Sequence, residues 1–368
     1  MEVKKHRFPY EWKISETKFT KDKGKVFSCF ACGGGSSFGY KLAGFDVLGC
    51  NEIDPKMIEA YIENHKPKYA YLEPIQTFKL RKDLPKELYN LDILDGSPPC
   101  SSFSMAGNRE KDWGKEKKFR EGQAKQVLDN LFFDFIDLAK ELQPKVVVAE
   151  NVKGLLMGNA KSYVRKIYKE FDKAGYYCQH FLLDASKMGV PQRRERVFFI
   201  CLRKDLAKPF LHFADLFTEI PKIEMEFKDR PILFGEIFEK NGKGEQSIPP
   251  SSSKYYDLRL IKEYCMSQTC IRIENKEKFF SVKYIAKHKV LNTITAGEKN
   301  MLHDEKRTLS KSEIIKGGSF PKDYNFLNNK SSYLIGMSVP PVMTANIATE
   351  IYTQWLSVLK GAKKNNCK

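Results

Sequence analysis

The sequence predicts an α/β fold: a doubly wound, mostly parallel sheet with a smaller, loop-rich second domain. Three observations predict it. Short apolar runs alternate with helical stripes from Val26 to about residue 202. Residues able to do chemistry fall at the ends of those runs. The periodic pattern then stops near residue 205, where Pro249-Pro250-Ser251-Ser252-Ser253, scattered aromatics and many lysines take over.

In chain order, residues 1–24 are basic and polar without a period, and read as a short arm. Val26 to Ala31 reads as a strand, Gly33-Gly34-Gly35 as a turn, Ser37 to Ala43 as a helix and Asp46 to Asn51 as a second strand. Pro55 suits the first turn of the helix that follows. Leu91-Asp92-Ile93-Leu94-Asp95-Gly96 is a further strand, closed by Ser97-Pro98-Pro99-Cys100. Gln123 to Leu142 carries apolar residues at 127, 128, 131, 132, 135, 138 and 139, a helical stripe that faces a sheet. A strand at 146–149, a helix at about 160–174 and strands near 178–183 and 197–202 complete the alternation. A helix from about Val342 to Leu359 ends the fold. The expected domains are 1–204, 205–330 and 331–368, the last returning to the first.

Composition narrows the function. Hydrophobic residues make up 42% and charged ones 30%, as in soluble globular proteins. No apolar stretch approaches the roughly 18 residues of a membrane helix, and Met1-Glu2-Val3-Lys4-Lys5-His6 lacks the apolar core of a signal peptide. A cytoplasmic protein without membrane contact and with reduced cysteines is expected. Cys29-x-x-Cys32 is only half of a metal motif, and neither Cys265 with Cys270 nor a nearby histidine completes it, so no metal is expected. Sixty-three basic residues against 46 acidic ones leave a formal charge of +17, which suggests a polyanionic partner.

Three groups stand where a reaction could be run. Two consecutive prolines fix φ and remove two backbone donors, so Cys100 ends a stiff turn at a sheet edge. That is a place for a thiolate nucleophile, although a small buried hydrophobe is the plainer reading of a free cysteine. Val146-Val147-Val148-Ala149-Glu150-Asn151-Val152 ends a second strand in a carboxylate. Gln192-Arg193-Arg194-Glu195-Arg196 leads into a third strand, Val197-Phe198-Phe199-Ile200-Cys201. The glycine turn after the first strand, followed by Glu52 at the end of the next, suits a ribose-bearing ligand.

On these motifs, with Ala174-Gly175-Tyr176, Gly189-Val190-Pro191-Gln192 and Gly336-Met337-Ser338-Val339-Pro340-Pro341, the chain resembles the DNA (cytosine-5) methyltransferases of bacterial restriction-modification type. The likeness spans about residues 25–205 and 290–360. It implies an S-adenosylmethionine-dependent methyltransferase fold, with residues 205–330 as the target-recognition domain. It implies Cys100 as the nucleophile that adds to cytosine C6, Glu150 as the donor at N3, Arg196 on O2 and Arg194 as a brace. Phe30, Gly34, Gly35, Glu52, Ile53, Ile75, Pro98, Leu131 and Val339 would line the pocket for S-adenosyl-L-methionine. Double-stranded DNA is the implied substrate, read at a specific short sequence with the target base flipped out. A cognate restriction endonuclease acting without a stable complex is a further implied partner. Two alternatives stay open: a transfer-RNA methyltransferase on the same scaffold, and a non-catalytic DNA-binding protein with a decayed site.

Three positions depart from the family pattern. Cys32 replaces a glycine of Phe-x-Gly-x-Gly, Met337 replaces an asparagine, and Pro74 stands where an aspartate normally receives the adenine amino group. Gln76, two residues on and expected on the same strand face, is the candidate replacement acceptor.

Overall fold

The computed structural model describes residues 6–99, 116–117, 126–127, 130–213, 219–297 and 299–365. Seven strands form one sheet: β1 (Lys25–Cys29), β2 (Asp46–Glu52), β3 (Tyr69–Leu72), β4 (Ile93–Gly96), β5 (Val146–Val152), β6 (Tyr176–Asp184) and β7 (Glu195–Arg203). Their spatial order is β3-β2-β1-β4-β5-β7-β6. The pairs β1–β2, β1–β4, β2–β3 and β4–β5 are parallel, whereas β7 runs antiparallel to β5. Helices α1 (Gly35–Leu42), α2 (Pro55–His65), the short α3 (Ile75–Phe78), α4 (Leu131–Leu142) and α5 (Lys161–Lys173) follow the strands in the expected alternation. The mostly parallel, doubly wound reading is what the chain adopts.

Local chemistry explains these elements. Asp54 caps α2 by accepting from Lys56 N and Met57 N, and Pro55 opens its first turn. The central strands β1, β4 and β5 are buried on both faces, which explains runs such as Val146-Val147-Val148-Ala149. One face of α4, carrying Leu131, Phe132, Phe135, Leu138 and Leu142, joins Phe27, Phe78, Leu94, Val147 and Phe199 in the main apolar core. Each such side chain contributes roughly 1.5–3 kcal/mol on burial.

The chain divides into two units by its internal contacts. The sheet unit comprises Lys18–Leu183, Glu195–Glu226 and Thr344–Lys368. The helical unit comprises Met1–Thr17, Asp184–Arg194 and Phe227–Met343. It holds α6 (Phe234–Ile237), α7 (Pro250–Asp257), α8 (Met266–Glu274), α9 (Lys311–Gly317) and α10 (Ser331–Met337). The chain then enters α11 (Pro341–Ile351) and runs on through a wider turn (Tyr352–Leu356) into α12 (Ser357–Asn365).

Three expectations need correction. Part of the N-terminal segment is not a free arm, since Trp12 is buried and its indole N–H donates to Ser319 O at 2.9 Å. The helix expected from Gln123 starts at Leu131, and residues 126–127 pair antiparallel with 116–117 instead. Gln76 lies on the helical turn α3, not on a strand, so strand alternation does not place it beside Pro74.

Candidate active site

Three strand ends meet the requirement for a built site. At the end of β4, a Cβ on Gly96 would fall 2.6 Å from the Phe135 ring, so only glycine lets α4 pack there. The chain then enters Ser97-Pro98-Pro99. Pro98 O accepts from Asn151 Nδ2 at 3.1 Å, while Asn151 Oδ1 accepts from Val152 N at 2.9 Å. The buried amide thus ties the tip of β5 to the prolyl turn. Sequence reading treated Asn151 only as part of a motif; its place beside a carboxylate at a strand end was the available signal. Cys100, Ser101, Ser102, Ser104 and nearly all of the lysine- and glycine-rich stretch 107–122 lie outside the described residues.

Glu150 and Arg196 are brought together. In the antiparallel pairing of β5 with β7, Glu150 lies opposite Phe198 and Val152 opposite Arg196. Alternation puts both charged side chains on one face of the sheet. Arg196 Nε approaches Glu150 Oε1 at 2.9 Å, with the two side chains 17% and 12% exposed. Arg196 Nη1 donates to Glu195 O at 2.8 Å. Burial pushes the guanidinium below its ordinary pKa, and Glu150 opposes that shift.

Arg194 does something different. It is 3% exposed, and its guanidinium donates to Ile294 O (3.0 Å), Gly336 O (3.0 Å) and Ser338 O (2.9 Å), all within the helical unit. Three carbonyls on one fork hold the segment that carries Val339. Arg194 is therefore a brace for backbone. Gln192 works beside it, donating to Gly317 O and accepting from Ile294 N.

The expected cofactor pocket begins at the glycine turn. Phe30, Cys32 and Gly34 all have positive φ (52°, 48° and 81°). For Cys32, a left-handed conformation costs roughly 1–2 kcal/mol relative to glycine. Its N–H donates to Glu52 Oε2 at 2.7 Å, and Glu52 Oε1 accepts from Ile53 N and Asp54 N at 2.8 and 2.9 Å. A carboxylate offers about four acceptor positions, so backbone uses most of them and one remains for a ribose hydroxyl. Burial raises the Glu52 pKa, against these three N–H bonds. Beneath the turn, a Cβ on Gly34 would fall 2.0 Å from His65 Nε2. That imidazole is stacked between Phe38 and Tyr61 at 3.8 and 4.3 Å, and burial holds it well below its usual pKa. His65 is a support for this turn that sequence reading missed.

The remaining pocket candidates divide. Ile75 and Leu131 are 2% and 1% exposed and belong to the apolar core, against which Phe30 packs. Pro98 is buried in the turn after β4, and Gly35 opens α1. Val339 is buried in the helical unit. One observation bears directly on whether S-adenosylmethionine suits these residues. The buried Gln76 Oε1 has no hydrogen-bond partner among the described residues. An unpaired buried acceptor costs about 1–3 kcal/mol unless something donates to it, and an adenine amino group would.

Comparison with known proteins agrees with this geometry. The family model for C-5 cytosine-specific DNA methylase matches residues 24–353. Type II methyltransferase M.FnuDI of Fusobacterium nucleatum is 38% identical over 182 residues, half of this chain and 48% of that enzyme. Type II methyltransferase M.NgoPII of Neisseria gonorrhoeae is 27% identical over 354 residues, 89% of this chain and 95% of that one. A prophage-encoded DNA modification methyltransferase of E. coli superposes with a TM-score of 0.62 at 20% identity, covering 90% of this chain and 99% of that one, a likeness of fold.

Proposed function

The chain belongs to the C-5 cytosine-specific DNA methylase family, with S-adenosylmethionine as methyl donor, and on that premise we propose that it methylates one cytosine within a short duplex sequence through a covalent Cys100 adduct. The observation that carries the reading is the Glu150–Arg196 pair at 2.9 Å, on the strand whose next residue, Asn151, grips the turn two residues before Cys100.

Cytosine C5 is a poor nucleophile. The Cys100 thiolate forms a bond to C6, the C5–C6 π pair moves onto the ring, and Glu150 supplies a proton at N3. Arg196 holds O2 through its guanidinium. S-adenosylmethionine, held at the glycine turn, Glu52 and Gln76, would supply the methyl group for C5 as a sulfonium electrophile. Loss of the C5 proton to solvent, expulsion of the Cys100 thiolate from C6 and return of the N3 proton to Glu150 restore the aromatic ring. Arg194 acts at one remove, by fixing the backbone around Val339. Gln76 accepts from the adenine amino group in place of the absent aspartate.

The target base must leave the duplex, at a cost of a few kcal/mol. Phosphate contacts offset it, which gives the +17 charge a purpose. With about six to ten phosphates neutralised, affinity falls roughly 10³–10⁵-fold between 50 and 200 mM salt. Residues 205–330, which include α7 and α8, are the proposed reader of sequence. The relatives named above are Type II enzymes, and we extend the restriction-modification setting, a cytoplasmic location and a separately acting cognate endonuclease to this chain on that likeness.

Bisulfite sequencing of DNA from expressing cells gives activity and target together, and duplex DNA carrying 5-fluorocytosine traps the adduct. A stable adduct that Cys100→Ser abolishes is expected. Methylation of transfer RNA in preference to duplex DNA, or no adduct at saturating cofactor, overturns the proposal.

A further inference from the structure

Asp95 has no part in the chemistry above, yet it sits at the centre of the sheet. It is the third residue of β4, the strand that runs into Pro98, Pro99 and Cys100, and it is 4% exposed. Its carboxyl accepts from Ser28 Oγ on β1 at 2.5 Å and from Tyr40 OH on α1 at 3.1 Å. The Ser36 hydroxyl, from the second residue of α1, also bears on this carboxyl and works to lower its pKa. No cation bonds to it among the described residues. A buried carboxyl without a cation is costly, and an apolar residue would fill a central strand more cheaply.

The three hydroxyls show what the cost achieves. Helix α1 begins directly after the glycine turn, and its N-cap, Gly34, makes no side-chain cap. Tyr40 OH, 3.1 Å from Asp95 Oδ1, is therefore a side-chain anchor of α1 on β4, and Ser36 bears on the same carboxyl from the first turn. Laterally, Ser28 pairs with Asp95 and Asp95 with Val148, so Glu150, two residues beyond Val148, projects from the same sheet face. One carboxyl thus joins the turn proposed to hold the cofactor to the strands proposed to hold nucleophile and acid.

We infer that Asp95 is a positioning residue, whose carboxyl seats the glycine turn for S-adenosylmethionine by tethering α1 to β4. The inference rests on the cofactor reading above. Burial, with a further contribution from the charge on Glu150, pushes Asp95 up to about 7, against the three hydroxyl donors. The groups that bear on it are Tyr40 from α1, Cys29 from β1 and Glu150 from β5, the last paired with Arg196. Burial keeps Tyr40 and Cys29 protonated well above neutrality, so neither titrates with Asp95. As a carboxylate, Asp95 can accept from all three hydroxyls. Once protonated it must donate through one oxygen, so one hydroxyl has to turn from donor to acceptor and the remaining bonds lose the charge that strengthened them. The seat therefore tightens as pH rises through about 7.

Calorimetric binding of S-adenosylmethionine, without DNA, tests this at pH 6, 7 and 8. The wild-type Kd is expected to fall about two- to tenfold from pH 6 to 8, the worth of one net hydrogen bond. Asp95→Asn and Ser36→Ala should each bind at pH 8 about as weakly as wild type at pH 6, with little pH dependence. Their double variant should lose no more than either alone. Ser36→Ala leaves the buried carboxyl in place and carries the test if Asp95→Asn does not fold. Affinities within twofold of wild type, a pH slope that survives in both variants, or a wild type that does not bind the cofactor overturns the inference. A wild type that binds with the expected slope but leaves DNA unmethylated instead sinks the proposed function alone.

Discussion

The sheet unit and the helical unit are held by different physics. In the sheet unit, seven strands share a backbone ladder around a mainly apolar core, with Phe27 packed ring to ring on Phe78, and Phe132 on Phe171 and Phe199. In the helical unit, α6 to α10 are at most 9 residues long, and ionised side chains tie the loops. Glu313, fully buried, caps α9 and pairs with Arg307 at 2.8 Å. Glu263 accepts from Leu260 N, Thr269 Oγ1 and Arg272 Nε. Glu245 collects Ser331 and Ser332 at the start of α10. Apolar packing follows a period that can be read along the chain. Ion pairs between distant loops follow none.

That contrast can be broken or sharpened by experiment. The largest effect belongs to the sheet unit's chemistry. Glu150→Gln should lower kcat about 10²–10⁴-fold, the usual worth of a positioned acid or base, while cofactor binding measured by calorimetry stays close to wild type; the melting temperature should fall as well, because Arg196 loses its buried ion pair. A drop below tenfold would remove Glu150 from the reaction.

Next comes the buried pair of the helical unit. Glu313→Ala removes the fully buried one of the two carboxylates that Arg307 pairs with, leaving Glu305, and should cost about 3 kcal/mol, seen in urea unfolding as loss of the helical unit. The two units should then melt separately, with the sheet unit retaining its transition. A single unshifted transition would contradict the contrast between them.

Acid should separate the units further, because their carboxyls respond with opposite sign. Burial works against ionised Glu263, but Arg272, Leu260 N–H and Thr269 outweigh it and hold the group down to about 2. Arg230 likewise holds Glu236 down to about 2. Both contribute stability above the ordinary carboxyl range near 4, and it is lost as pH falls toward 2. Asp95 is the reverse. With its pKa raised to about 7, its contribution is complete below about 4 and is lost as pH rises to 7, a difference of roughly 4 kcal/mol. Hydrogen exchange, normalised for intrinsic rate, should show residues 250–303 opening before β1, β4 and β5 as pH drops from 4 to 2. Earlier opening of the strands would reverse the assignment.

The smallest effect concerns one acceptor. Gln76→Ala should weaken S-adenosylmethionine binding by up to about tenfold, and Gln76→Glu should retain more of it. Unchanged affinity in Gln76→Ala would show that its unpaired oxygen faces something other than adenine.

How much was legible follows the same line. The strand–helix alternation from β1 to β7 was readable because each element needs an apolar face of fixed period. Glu150, Arg196 and the prolyl turn were readable because polar groups that end apolar strands have few other reasons to be there. The start of α4 was not, since Val127 fits a helical stripe and a strand ladder equally well. Gln76 was assigned for a strand reason that α3 removes, and only its unpaired oxygen, a fact of burial, supports the role. Asp95 looked like one polar residue in an apolar run, because nothing local distinguishes a charge that faces solvent from one that faces three hydroxyls.

By itself, then, the order of residues determined the sheet, its connections and the residue types available at its edge, since these depend on spacing along one element. Tertiary structure alone decided which of them meet. Arg194 and Arg196, two residues apart, part company because one reaches three backbone carbonyls in the helical unit while the other pairs with Glu150 across the ladder. Such partnerships arise where strands more than forty residues apart in sequence come into register, and they are selected because a buried charge left without its partner costs more than the buried pair.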